Sequence, residues 1–306
     1  MNPVLSLGSL PAAGDVAALV RLPAVLTVPG DGWLGAAAAG VPLGRRSLVV
    51  AGASACLYLS GMALNDWADR EVDARERPGR PIPSGRVTPG FALALAAGLS
   101  AGGLALAGLG GGRPALAVAV PLAGAVWSYD LAVKGTPAGP LGMAACRSLD
   151  VLLGAAVGGR GTLRRALPAA AVVGAHTVMV TTVSRREAQG AGPGLAGAAL
   201  AATAGVTGAA AALVRGRLPD GRSRGLRRAA AGGLLGLYAG TIGRAGGRAV
   251  SEPSPARLQE LVGTGVLALM PLEAGLLAAG GPAPAVLAVA GAWPLARRLA
   301  RRRSVT

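Results

Sequence analysis

Ten apolar runs, separated by short polar or charged stretches, set the plan of this chain. They lie near 16–40, 46–65, 89–110, 114–133, 139–158, 166–183, 193–214, 228–246 and 259–280, with a shorter one near 283–296. An apolar helix of about 18 to 25 residues crosses the hydrocarbon of a bilayer. None of the runs alternates apolar with polar positions, as the strands of a membrane barrel do. The pattern predicts an all-α fold: a polytopic membrane bundle of nine or ten transmembrane helices around a central chamber. Every linker is short, so residues 1–306 read as a single integral membrane domain. Gly and Ala dominate the runs, as in Ala94 to Gly112 and Gly197 to Ala212, and small residues let membrane helices approach closely.

Composition agrees. The 306 residues are 52% apolar and only 14% charged, with a mean hydropathy of +0.52. The net charge of +16 raises the question of nucleic acid, but the arginines are scattered through short loops and aromatic residues make up 3%. There is no zinc-finger spacing and little stacking surface, which argues against a nucleic-acid partner. Anionic lipid headgroups of the surrounding bilayer are the simpler partner. The first residues carry no basic n-region, so the first run reads as a retained span rather than a removed signal. Cys56 and Cys146 lie inside apolar runs without metal-ligand partners nearby and read as small buried hydrophobes. The protein is expected to be multi-pass in the cell membrane, with the acidic loop described next on the cytoplasmic side. In that orientation the arginines from Arg215 to Arg228 run against the positive-inside tendency, while the basic tail from Arg297 to Arg303 favours an even number of crossings.

Between the second and third runs stands Asn65-Asp66-Trp67-Ala68-Asp69-Arg70-Glu71-Val72-Asp73, followed by Arg77-Pro78-Gly79-Arg80-Pro81-Ile82-Pro83-Ser84-Gly85. Five carboxylates (Asp66, Asp69, Glu71, Asp73, Glu76) sit here in a chain with 14 acidic residues overall. Asp66, Asp69 and Asp73 are spaced i, i+3, i+7, which puts them on one helix face. Carboxylates gathered on a face repel one another unless a cation lies between them. Hard oxygen ligands of this kind suit magnesium, which shares its shell with substrate phosphates, and the arginines that follow are forked phosphate donors. A solvated juxtamembrane loop would account for the charges, but not for this helical spacing followed by paired Arg-Pro units.

These residues resemble the first signature of the UbiA superfamily of intramembrane prenyltransferases. The resemblance implies magnesium as cofactor, with metal ligands at Asp66, Asp69 and Asp73, and a prenyl diphosphate held by Asn65, Arg77 and Arg80. It further implies that Asp66 and Asp69 are catalytic. A second stretch, Tyr129-Asp130-Leu131-Ala132-Val133-Lys134 with Thr136-Pro137, Gly139-Pro140-Leu141 and Arg147-Ser148-Leu149-Asp150, is also similar to the family. There Tyr129 and Lys134 would face the catalytic chamber. Lys134 is the only lysine in the chain. Arg147 and Asp150 are i, i+3 inside a predicted span, where ionisable residues face a polar cavity or each other. A mutual structural pair and a substrate contact are both open.

The family's second Asp-rich signature is replaced here by Thr181-Thr182-Val183-Ser184-Arg185-Arg186-Glu187. Only Glu187 remains as a carboxylate, and Arg185 or Arg186 would neutralise the diphosphate in place of a second metal. Arg147, Arg185 and Glu187 thus complete the substrate-binding candidates. His176, the only histidine, reads as a hydrogen-bonded packing residue before it reads as a base. Glu273 and Asp31 are buried-acid candidates without a named partner. Tyr58, Trp67, Trp127 and Tyr129 could stabilise a carbocation, and interfacial anchoring explains the tryptophans equally well. The function implied is transfer of an isoprenoid group from a prenyl diphosphate to an acceptor. Two other readings stay open: a non-catalytic carrier of a lipid-like metabolite, resembling EboC-type members of the superfamily, and a prenyl diphosphate cyclase.

Overall fold

The computed structural model describes residues 11–187, 190 and 192–303. The described residues form helices joined by short turns, with no strand among them. In chain order these are α1 (Ala13–Leu19), a 3-10 segment (Leu22–Thr27), α2 (Val28–Ala38), α3 (Arg45–Ala68), α4 (Arg70–Glu76) and α5 (Pro89–Ser128). A π turn (Tyr129–Val133) follows, then α6 (Gly139–Ala155), α7 (Leu163–Ser184), α8 (Pro193–Arg217), α9 (Arg224–Ser251), α10 (Pro255–Leu277) and α11 (Ala283–Arg303).

Among the described residues, six stretches are long and apolar enough to cross a membrane: Arg45–Ala68, Pro89–Val133, Gly139–Gly158, Arg160–Ser184, Pro193–Arg217 and Pro255–Leu277. Three features separate this from the nine or ten anticipated. The first run is broken, because Arg21 takes a left-handed backbone (φ 45°, ψ 51°) and Pro23 lacks the N–H that a helix interior needs, so it is divided among the end of α1, a 3-10 turn and α2. The third and fourth runs share one stretch that reverses at Gly112. The runs near 228–246 and 283–296 lie in α9 and α11, where arginines such as Arg227, Arg228, Arg244, Arg297 and Arg298 dilute the apolar character.

The reversal at Gly112 needs a glycine. Its φ of 64° with ψ of −155° lies in a region closed to residues with a Cβ. The two limbs run back along α3: Ser60 Oγ donates to Ala96 O at 2.7 Å, and Trp127 Nε1 donates to Ser100 Oγ at 3.0 Å. Residues near 100 and 127 therefore sit at one level. Gly112→Ala is expected to lower stability by about 1–3 kcal/mol, read as a lower melting temperature of the protein in lipid nanodiscs.

Helix ends follow the usual chemistry. Thr88 caps α5 by accepting from Phe91 N at 3.2 Å, and Ser254 caps α10 by accepting from Arg257 N at 3.4 Å, each with proline at the next position. Arg227 Nη1 donates to Gly281 O at 2.9 Å and Ala278 O at 3.2 Å, satisfying carbonyls just beyond the C-terminal end of α10. α10 is the centre of the bundle, buried continuously from Ala268 to Leu277 and packed on α2, α7, α9 and α11. α2 crosses α6 backbone to backbone: a Cβ on Gly35 would lie 1.7 Å from Val151 O, and one on Gly154 would lie 1.9 Å from Gly32 O. That crossing brings Asp31 beside Arg147.

Candidate active site

α3 ends on the acidic signature, and the helical ladder continues through it. Asp69 N bonds Asn65 O at 2.9 Å, Asp73 N bonds Asp69 O at 2.8 Å and Arg77 N bonds Asp73 O at 2.8 Å. The three aspartates therefore keep their helical spacing although Asp69 marks the junction of α3 and α4. Prolines 78, 81 and 83 bar a further helix, and the chain folds back so that Arg80 reaches the acids. Arg80 Nη1 lies 2.6 Å from Asp73 Oδ2 and 3.3 Å from Asp66 Oδ1. Both aspartates are buried, at 3% and 4% exposure. Arg77 is the outer partner of Asp73, at 3.9 Å.

The other side of the mouth comes from the end of α5. The π turn, closed by Lys134 N to Tyr129 O at 2.9 Å, is a device common at functional sites. Lys134 Nζ pairs with Asp69 Oδ1 at 2.6 Å. Asn65 Nδ2 donates to Asp130 Oδ1 at 3.1 Å. Arg185 braces this turn from α7: its Nη1 donates to Lys134 O at 2.9 Å and also to Thr136 O. These bonds tie it to the loop that carries Lys134. Glu187 is half-buried, and that burial raises its pKa against the opposing pull of Arg77. Ala188 and Gln189, next to Glu187, lie outside the described residues.

Below the mouth are two adjoining cavities of about 210 and 240 Å³ that share Tyr58, Tyr129, Met143 and Arg147 as walls. The first runs from Arg21, Asn65 and Asp130 down to Arg147 and Asp150. The second opens between α7 and α10, past His176, Val262 and Leu269. Arg147 and Asp150 do not form the mutual pair that their spacing allowed. Arg147 Nη2 instead meets Asp31 Oδ2 at 2.8 Å and Glu273 Oε1 at 3.7 Å, while Asp150 Oδ2 accepts from Ser54 Oγ at 2.6 Å. The two acids that lacked partners in the sequence thus share one guanidinium. His176 is a packing residue: Nε2 faces Gly265 O at 3.1 Å and so must carry the proton, leaving Nδ1 to accept from Tyr238 Oη at 3.1 Å.

Sequence reasoning missed two members of the mouth. Arg21 Nη2 bonds Asp66 Oδ1 at 2.8 Å from a left-handed backbone position, and the sequence pattern, which has it as one arginine within the first apolar run, gives it no partner. Asp130 was visible only as a member of the second stretch, and its hydrogen bond to Asn65 joins the two motifs.

No three acidic, histidine or cysteine side chains stand as a ready metal cluster among the described residues. Asp66 and Asp73 nevertheless converge on one positive atom, Arg80 Nη1, and Asp69 on another, Lys134 Nζ. The hard oxygens and the cationic stand-ins between them fit a divalent cation such as magnesium.

Similarity to known proteins follows the same lines. The digeranylgeranylglyceryl phosphate synthase of Methanopyrus kandleri is 38% identical over 123 residues, 40% of this chain and 45% of that protein. The synthase of the same name from Halobacterium salinarum is 41% identical over 110 residues, 34% of this chain and 38% of that protein. The match thus spans less than half the length of these curated relatives. Among solved structures, a UbiA homologue from Aeropyrum pernix aligns with a TM-score of 0.67 at 23% identity, covering 83% of this chain and 96% of that one. A homologue from Archaeoglobus fulgidus, solved with GPP and Mg2+, aligns with a TM-score of 0.58 at 12% identity, covering 86% and 99%. Both share the fold. The model of the UbiA prenyltransferase family matches residues 24–214, well over half of the chain, and the protein belongs to that family.

Proposed function

We propose that the protein is an intramembrane prenyltransferase that moves an isoprenoid group from a prenyl diphosphate to a hydroxyl-bearing acceptor. The observation that carries this reading is the mouth itself. Three aspartates and their cationic partners Arg80 and Lys134 stand at the entrance of a mainly apolar chamber. Asp66, Asp69 and Asp73 would hold magnesium, which supplies charge neutralisation of the diphosphate leaving group. Arg77, Arg80 and Lys134, released from their carboxylates, would bind phosphate oxygens, with Asn65 fixing the position of Asp130. Tyr58 and Tyr129 line both cavities, where their ring faces would lie along the allylic end of the isoprenoid. The mainly apolar walls would keep water from the reacting carbon. In this reading the bundle crosses the cell membrane nine or ten times, and the acidic mouth faces the cytoplasm, where water-soluble magnesium is at hand.

The relatives' names make geranylgeranylglyceryl phosphate the natural probe acceptor. Protein reconstituted in liposomes with geranylgeranyl diphosphate, Mg2+ and this acceptor is expected to release diphosphate and form an ether product, and chelation of Mg2+ should stop both. Diphosphate release without any acceptor would point to cyclisation, and binding without release would point to a carrier. Either result would overturn transfer.

A further inference from the structure

We infer that the end of the bundle opposite the mouth is a docking face for anionic phospholipid headgroups, built from arginines that lack a counter-charge of their own. This face is remote from the chamber entrance, and its role does not depend on prenyl transfer.

Chain direction gathers the arginines. The mouth lies at the C-terminal ends of α3 and α7 and at the π turn after α5, so the other end collects the starts of α3 and α7, the reversal at Gly112 and the turn between α6 and α7. The end of α8 joins them, because Arg217 Nη2 donates to Arg165 O. So does the start of α9, because Arg227 holds the carbonyls that follow α10. Within 45–46, 113, 160–165 and 215–228 stand twelve arginines and one carboxylate, Asp220. Ten of these arginines are exposed, and the two half-buried ones, Arg217 and Arg227, are those that donate to carbonyls. Asp220 pairs with Arg224, and the remaining arginines at this end form no ion pair among the described residues.

Left to itself, such a face works against the fold. α3, α7 and α9 each begin with arginines and no acid in the first turn, where the positive end of the helix dipole disfavours a cation. Like charges at the ends of neighbouring helices repel one another as well. Anions supplied from outside remove both penalties.

The neighbours of the arginines identify the anion as a lipid. α3 opens with Arg45-Arg46-Ser47-Leu48, and the first turns of α7 repeat the pattern as Arg164-Arg165-Ala166-Leu167. α9 sets Leu226 between Arg224 and Arg227. Leu48, Leu167 and Leu226 are 61%, 51% and 76% exposed. Arg45–Ala68 and Arg160–Ser184 are stretches long and apolar enough to cross a membrane, so the arginines of α3 and α7 stand at its boundary. A phospholipid meets both halves of the pattern: its phosphate accepts from the guanidinia, and its acyl chains cover the leucines. A water-soluble polyanion would leave those leucines in water. The cluster from Arg215 to Arg228, which runs against the positive-inside tendency, thereby has a partner in the leaflet on its own side.

Spin-labelled lipids in bilayers that contain the full chain measure the preference directly. At low salt, phosphatidylglycerol should associate with the wild-type protein at least about threefold more strongly than phosphatidylcholine, and high salt should weaken that preference by screening. The combined variant Arg45→Gln, Arg46→Gln, Arg164→Gln and Arg165→Gln should lose at least about half of it. The same four positions changed to lysine keep every charge and should retain it. Arg75→Gln, Arg244→Gln, Arg297→Gln and Arg298→Gln remove as much charge nearer the mouth and should cost less than the first set. Equal association of the two lipids with wild type, or loss of the preference in the lysine variant, would overturn the docking face. Equal losses from the two glutamine sets would trace the effect to net charge and remove this face as its cause. Displacement of phosphatidylglycerol by glycerol phosphate at equal concentration would assign the arginines to a free anion and refute the lipid.

Discussion

Replacing Arg147 with methionine is expected to destabilise the protein by about 3–5 kcal/mol, the cost of removing one partner from a buried ionic group. Among the described residues the arginine is the one cation that Asp31 and Glu273 meet, at 2.8 and 3.7 Å. Without it the bundle must bury charged carboxylates unpaired or bind protons in their place. Neutralising the acids as well separates these effects: Arg147→Met combined with Asp31→Asn and Glu273→Gln should regain most of the stability, since a group without charge has none to compensate. Thermal unfolding in nanodiscs reads both variants. If Arg147→Met melts with wild type, the cluster carries no structural weight. If the triple variant is no better than the single one, the loss comes from packing rather than charge.

Asp66→Asn and Asp69→Asn should each lower magnesium-dependent consumption of prenyl diphosphate by about 10³-fold, the scale of losing several kcal/mol of charge stabilisation at the leaving group. Calorimetric titration with Mg2+ in the presence of diphosphate should show weaker binding for both variants. Arg185→Gln makes the contrast, since its guanidinium is spent on the carbonyls of Lys134 and Thr136. It should act through the placement of Lys134 and cost less. If both aspartate variants turn over at the wild-type rate, the metal assignment is wrong.

Much of this was legible from the order of residues. The acidic signature gave its own geometry away because helical spacing is local: Asp66, Asp69 and Asp73 share a face whatever the rest of the bundle does. Lys134 stood out by being the chain's single lysine, and it does meet Asp69. Arg21 did not stand out, because its importance comes from a left-handed turn that places it over Asp66, a tertiary fact. The ion cluster was half legible. Asp31, Arg147, Asp150 and Glu273 were each visible as charges within apolar runs, but their grouping depends on which glycines let α2 sink onto α6. The count of nine or ten spans is the part not confirmed: one glycine joins two runs as the limbs of a single stretch, and Arg21 with Pro23 breaks another.

The α2–α6 crossing also bears on how this chain can vary. Any single-base change in the first two positions of a glycine codon yields a residue with a Cβ or a stop. At Gly35 and Gly154 that Cβ would collide with a backbone oxygen, at 1.7 and 1.9 Å. A backbone oxygen cannot rotate away as a side chain can. The crossing therefore has no neighbouring sequence that keeps its geometry, and Asp31 and Arg147 inherit that immobility. Lineages can retune the mouth by exchanging exposed arginines one at a time, whereas the floor of the chamber changes only if a whole helix moves.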